Sequence, residues 1–143
     1  MLEKTQMLDS RAIEGLLAKR TRIAIKAKGR ILFIDPDEIA AVEARGNYIL
    51  LQRLSGSELL RESMSTVEAK LRAYGFVRIH RSVIVNASFV EEILTLGTGD
   101  NVVRIKGGNE FTVSRTYKKN LRAITPLWIG STSFERSRPV ADL

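Results

Sequence analysis

At 143 residues, with net charge +7, a pI near 10.1 and 44% apolar residues, the chain has the composition of one folded domain rather than a disordered polycation. The absence of cysteine excludes disulfides, thiol catalysis and cysteine-ligated metals, and a single histidine leaves no second imidazole for a metal site. No apolar run reaches membrane-spanning length and no signal-peptide pattern follows the N-terminus, so the expected location is cytoplasmic and the expected partner a polyanion.

Residues 6–20 set Leu8, Ile13, Leu16 and Leu17 roughly on one side and predict a short helix. The basic residues Lys19, Arg20, Arg22, Lys26, Lys28 and Arg30 read equally as an arm for a polyanion and as a solvated linker. From Ile23 the texture becomes strand-like. Ile23-Ala24-Ile25 and Ile31-Leu32-Phe33-Ile34 predict two strands about a Lys28-Gly29 turn, and Asp35-Pro36-Asp37-Glu38 predicts a turn or one helical turn. Residues 39–45 and 48–54 predict strands joined through Arg45-Gly46-Asn47, and Ser55-Gly56 turns the chain into residues 58–62. Ser65-Thr66-Val67-Glu68 fits a capping box and predicts a helix to about Ala73, ended by Gly75.

Strands are predicted near 76–80, 83–86 and 89–96, with Gly97-Thr98-Gly99-Asp100-Asn101 as a hairpin loop. Residues 102–106 and 110–113 form a further hairpin across Gly107-Gly108-Asn109. Ser114 is placed as the cap of a last helix over 115–124. Tyr117, Leu121 and Ile124 share one face of it, and Arg115, Lys118, Lys119 and Arg122 the other. Phe33, Tyr48, Phe76, Phe111 and Tyr117 fall at predicted core positions. The fold class is mainly β, all-β to α+β, an antiparallel sheet protein with two short helices besides the N-terminal one. Residues 1–22 form an N-terminal helix or linker, 23–124 the folded domain, and 125–143 a tail without periodicity that is expected to be mobile.

The most informative stretch is 75–86. Two apolar strand-like pieces flank His80-Arg81-Ser82, which sets the lone histidine beside an arginine and a hydroxyl. A sheet that interrupts apolar strands with such groups presents them to a partner, and the basic chain makes nucleic acid the natural one. Three pieces then match a known family: Ile39-Ala40-Ala41-Val42-Glu43-Ala44-Arg45-Gly46-Asn47-Tyr48, the run from Phe76 to Asn86, and Val113-Ser114-Arg115-Thr116-Tyr117 ahead of Leu121. In this order and spacing the chain from about Ile23 to Ile124 resembles the LytTR DNA-binding domain of bacterial transcription regulators.

The resemblance implies an elongated fold of about ten strands in packed antiparallel β-layers. It implies loops that enter successive major grooves of double-stranded DNA, with base contacts falling at Asn47, Arg81 and Arg115. Some relatives place a histidine near the first position and an asparagine at the second, where this chain has Asn47 and Arg81. The family usually follows a receiver or sensor domain and occupies paired sites, so an upstream sensory partner and a homodimer on DNA are implied as well.

The residue chemistry runs beside the resemblance. An arginine fork suits guanine O6 and N7, and an asparagine suits adenine N6 and N7. Arg81 reads alternatively as a salt-bridge partner for Glu43, and Asn47 as a turn former with Arg45 as the contact beside it. Arg45, His80, Ser82, Ser114, Lys118, Lys119 and Arg122 are backbone-contact candidates, since phosphate contacts position a protein without reading sequence. No catalytic constellation and no cofactor motif is present, so neither an enzyme nor a cofactor is expected. The alternatives are a non-specific or single-stranded nucleic-acid binder, and an interaction module working through the basic N-terminal helix.

Overall fold

Near-continuous apolar runs mark strands buried on both faces, and alternating runs mark strands with one wet face. Both textures occur in the computed structural model, which describes residues 21–130. The strands are β1 Ile23–Ala27, β2 Arg30–Ile34, β3 Ile39–Arg45, β4 Tyr48–Arg53, β5 Gly56–Leu60, β6 Phe76–His80, β7 Val83–Asn86, β8 Val90–Thr95, β9 Asn101–Ile105 and β10 Glu110–Val113. Among the described residues one α-helix, α1 Met64–Leu71, precedes β6, and a helical segment Arg115–Ala123 follows β10.

All pairings are antiparallel. A five-stranded sheet runs in the order β5-β4-β3-β7-β6, a three-stranded sheet β10-β9-β8, and β1 pairs with β2 alone. The five-stranded sheet is the middle layer. Val42, Ile84 and Phe76 face α1 and the β1–β2 hairpin, while Ala41, Val85 and Ile79 face the three-stranded sheet and the last helical segment. This is why Val83 to Asn86 is buried at every position, whereas β9 alternates buried and half-buried. Each fully buried Ile or Val contributes about 1.5–3 kcal/mol relative to exposure. The mainly β class and the ten strands expected from the sequence are what the structure has.

Four expectations are corrected. The cap of α1 is Ser63, not Ser65. Ser63 has extended backbone and its Oγ accepts from the Thr66 N–H at 3.1 Å, so the helix begins at Met64 and turns Met64, Val67 and Leu71 inward. The last segment is a 3-10 helix rather than an α-helix, because the Ser114 carbonyl takes the Tyr117 N–H three residues on. The Ser114 side chain caps nothing; its backbone amide bonds Ile79 O at 3.0 Å instead. Phe33 and Tyr48 are not core residues, at 59% and 44% exposed: β2 turns Ile34 inward and leaves Phe33 outside beneath Arg22, and β4 turns Ile49 and Leu51 inward. The expected N-terminal helix over 6–20 lies outside the described residues, as does the tail from residue 131.

Asn86 ends β7 and is 3% exposed. Its Nδ2 donates to the carbonyls of Ile39 (2.9 Å) and Pro36 (3.3 Å), and its Oδ1 accepts from the Ser88 amide and hydroxyl. A buried amide so satisfied locks the start of β3 to the end of β7. The register of those two strands decides where the loops fall.

Candidate nucleic-acid interface

In the β3–β7 pairing Glu43 lies opposite Val83, so the end of β3 stands beside the start of β7. The β3–β4 turn at Arg45-Gly46-Asn47 and the β6–β7 turn at Arg81-Ser82 therefore share one end of the sheet. The Ala44 amide donates to Ser82 O at 2.9 Å and joins them. The Ser114 amide reaches Ile79 O, two residues before Arg81, so Ser114 and Arg115 come to the same end. The β8–β9 loop, read from sequence as a hairpin loop, closes the row: Thr98 and Asp100 line a hollow with Arg115 and Lys118. Sequence positions 47, 81 and 115 are thus brought to one edge.

Most arginines away from this edge are held in ion pairs. Arg53 and Arg30 pair with Glu58, Arg72 and Arg78 with Glu68, and Arg104 with Glu91 and Glu92. The bonds to Glu91 and then Glu92 raise the pKa of Arg104 further. Arg81, Arg115, Lys118, Lys119 and Arg122 are all exposed, and among the described residues their side chains have no ion pair or hydrogen bond. The Arg81–Glu43 bridge is not formed; Glu43 is taken by Gln52 and by Arg45 at 3.7 Å. Arg45 is thus half-engaged rather than free. Unpaired guanidinium and ammonium groups keep their full capacity for an external anion.

His80 is half-buried. Its Nδ1 accepts from the Ser82 amide at 3.1 Å and lies 2.8 Å from the Ser82 hydroxyl. With Nδ1 accepting from a backbone amide, the neutral ring carries its hydrogen on Nε2 and keeps that donor for another group. Asn47 is exposed in the first turn, where Gly46 holds φ at +61°. That left-handed geometry suits glycine and closes the hairpin tightly.

Two residues of this region were not among the candidates read from the sequence. Arg61 is exposed and lines a hollow with Gly46, Asn47 and Tyr48, beside the first turn. Arg78 is only 11% exposed at its side chain, yet it is the centre of the second turn. It donates to Arg81 O at 2.5 Å, to His80 O at 3.3 Å and to Glu68 at 3.1 Å, and its guanidinium sits 5.1 Å from the Tyr117 ring centroid. The one available hint was a lone charge in the apolar run Phe76-Val77-Arg78-Ile79.

Residues 29–125 match the family model of the LytTr DNA-binding domain. Sensory transduction protein LytT of Bacillus subtilis (strain 168) is 25% identical over 107 residues, covering 75% of this chain and 44% of that protein. The positive alginate biosynthesis regulatory protein of Pseudomonas aeruginosa is 28% identical over 107 residues, covering 73% of this chain and 43% of its own. The chain spans less than half the length of these relatives. A solved LytTr DNA-binding domain from Bacillus cereus superposes with a TM-score of 0.65 at 18% identity, covering 76% of this chain and 99% of that one, which speaks for the fold.

Proposed function

The chain belongs to the LytTr DNA-binding domain family, and on that premise we propose that it binds double-stranded DNA sequence-specifically as a non-catalytic transcription regulator. The observation that carries the reading is the set of unpaired cations, Arg81 from the second turn and Arg115, Lys118, Lys119 and Arg122 from the last helical segment, in a domain whose other arginines are mostly paired. Arg81 and Arg115 read base edges in successive major grooves, Arg115 and Arg81 as forks for guanine and Asn47 as a pair for adenine. Lys118, Lys119 and Arg122 hold phosphates, with Arg45, His80, Ser82 and Ser114 as closer backbone contacts. Arg115 is the first residue of the helical segment, which packs its other side on β6, so its base contact comes from the segment's leading end beside the two turns.

Two copies on paired sites, and control by a sensory partner, belong to the same proposal; the relatives' description as sensory transduction proteins supports the second. Selection from a random duplex pool at physiological salt tests the core of it. One enriched motif, repeated about a helical turn or two apart, is the expected result. Tight, salt-sensitive binding with no enrichment would sink sequence specificity and leave a polyanion binder.

A second reading is favoured by the exposure of Tyr48 beside Asn47. An exposed ring next to basic groups is a stacking platform for an unpaired base. Competition between duplex and single strand of one sequence separates the two: preference for the single strand would replace the first reading.

A further inference from the structure

The pairing of β6 with β7 contains a β-bulge: Arg78 lies opposite Ile84 and His80 opposite Val83, which leaves Ile79 over. In a regular strand successive carbonyls point to opposite sides. Here two successive carbonyls serve the same neighbour. Ile79 O accepts the Ser114 amide at 3.0 Å, and Arg78 O accepts Asn120 Nδ2 at 2.8 Å. The bulge thus docks both the start and the middle of the last helical segment onto β6. The Arg78 side chain spans the same junction in the other direction. One fork holds two carbonyls of the second turn, and its guanidinium carbon lies over the Tyr117 ring of the helical segment, 5.1 Å from the centroid.

We infer that Arg78 is a positioning residue that fixes the second and third DNA-contacting loops against each other, so that base reading by Arg81 and by Arg115 is coupled through a side chain that never touches DNA. The assignment rests on the DNA-binding reading of these loops. It follows from three features together. Arg78 is nearly buried and already bound to Glu68, so it is not a phosphate contact. Its donors end on the backbone of Arg81, which fixes where that side chain starts. Tyr117 is two residues beyond Arg115, so the ring under the guanidinium sets the azimuth of the segment that carries the third contact. Glu68 adds a lever, because it ties the same guanidinium to α1.

The chemistry demands arginine. A lysine keeps the charge and the attraction to Glu68, but a single ammonium cannot serve two carbonyls and a carboxylate while also covering an aromatic ring. A role of charge alone is rescued by Arg78→Lys; a role of geometry is not.

The experiment uses the full 143-residue chain and a panel of single-base variants of the duplex that the wild type selects. Arg81→Ala and Arg115→Ala first assign the position that each arginine reads. Arg78→Lys, checked for folding by its thermal transition, is then titrated across the panel at several salt concentrations. Discrimination is expected to fall about tenfold at both assigned positions, as for loss of a well-placed bidentate contact, with the salt slope unchanged. Tyr117→Leu, which removes only the ring, is expected to fall at both positions by a smaller factor and serves as the reading if Arg78→Lys does not fold. Unchanged discrimination in a folded variant overturns the inference, and so does a loss confined to the Arg81 position. If the wild type selects no duplex at all, the DNA-binding reading itself falls and the coupling with it.

Discussion

Arg45-Gly46-Asn47 and His80-Arg81-Ser82 close neighbouring hairpins of one sheet, the first shaped by its backbone and the second by its side chains. Gly46 at φ +61° makes the first turn, and among the described residues its one side-chain tether is Arg45 to Glu43 at 3.7 Å. The second turn has its carbonyls held by Arg78 and its imidazole held by the Ser82 amide. A segment ordered before binding loses less conformational freedom on binding, so equal contacts are worth more from the second turn than from the first. The same division appears below them: Val83, directly after the second turn, is in the core, while Tyr48, directly after the first, is 44% exposed.

The largest effect should come from removing the ground under the second turn. Ile79→Ala empties a fully buried position at the bulge and is expected to cost about 2–5 kcal/mol of stability in denaturant unfolding. A cost below about 1 kcal/mol would mean that the bulged strand is not the anchor. Next come the contacts themselves. Arg81→Ala is expected to weaken the selected duplex by about 1–3 kcal/mol, chiefly at one base pair, and Asn47→Ala by less. The reverse order would show that bracing does not set the strength of the contact.

Gly46→Ala probes the backbone-shaped turn directly. It is expected to destabilise by about 1 kcal/mol in thermal unfolding, and Gly46→Asn by less, since asparagine tolerates the left-handed region. Equal cost for both would point to steric crowding rather than backbone strain, although a Cβ at Gly46 meets nothing within 4 Å. The smallest effect belongs to the outer cations. Lys119→Ala should weaken binding to every sequence alike and lower the salt slope by about one, leaving base preference as it was.

Much of this fold was legible. The strands about Arg45-Gly46-Asn47 and Gly107-Gly108-Asn109 showed themselves because apolar runs ended at turn-forming residues, and the exposed row Arg115, Lys118, Lys119 and Arg122 lies on the side expected of it. The errors have local causes. Ser63 and Ser65 both precede plausible helical turns, and only the inward packing of Met64 decides between them. Ile31-Leu32-Phe33-Ile34 is apolar on both sides of the strand, so its own pattern does not say whether Phe33 or Ile34 is inside. The last helix tightened because its neighbours on β6, through Ile79 O and Arg78 O, fix it at two points. Arg78 was invisible for the same reason: its role is set by carbonyls that approach only once the bulge has formed.

The tight winding of that last segment also makes it a longer ruler. Nine residues at about 2.0 Å each span about 18 Å, against about 13.5 Å for an α-helix of the same sequence. Residues three apart eclipse in such a helix, so Arg115 with Lys118, and Lys119 with Arg122, fall into two short parallel files instead of one spiral. On the inner side the half-buried Ser114, Tyr117 and Asn120 keep that period of three, and the fully buried Leu121 shifts it by one residue. A row of phosphates meeting this surface meets a two-file comb of positive charge whose pitch is set by hydrogen bonds on the opposite side of the segment.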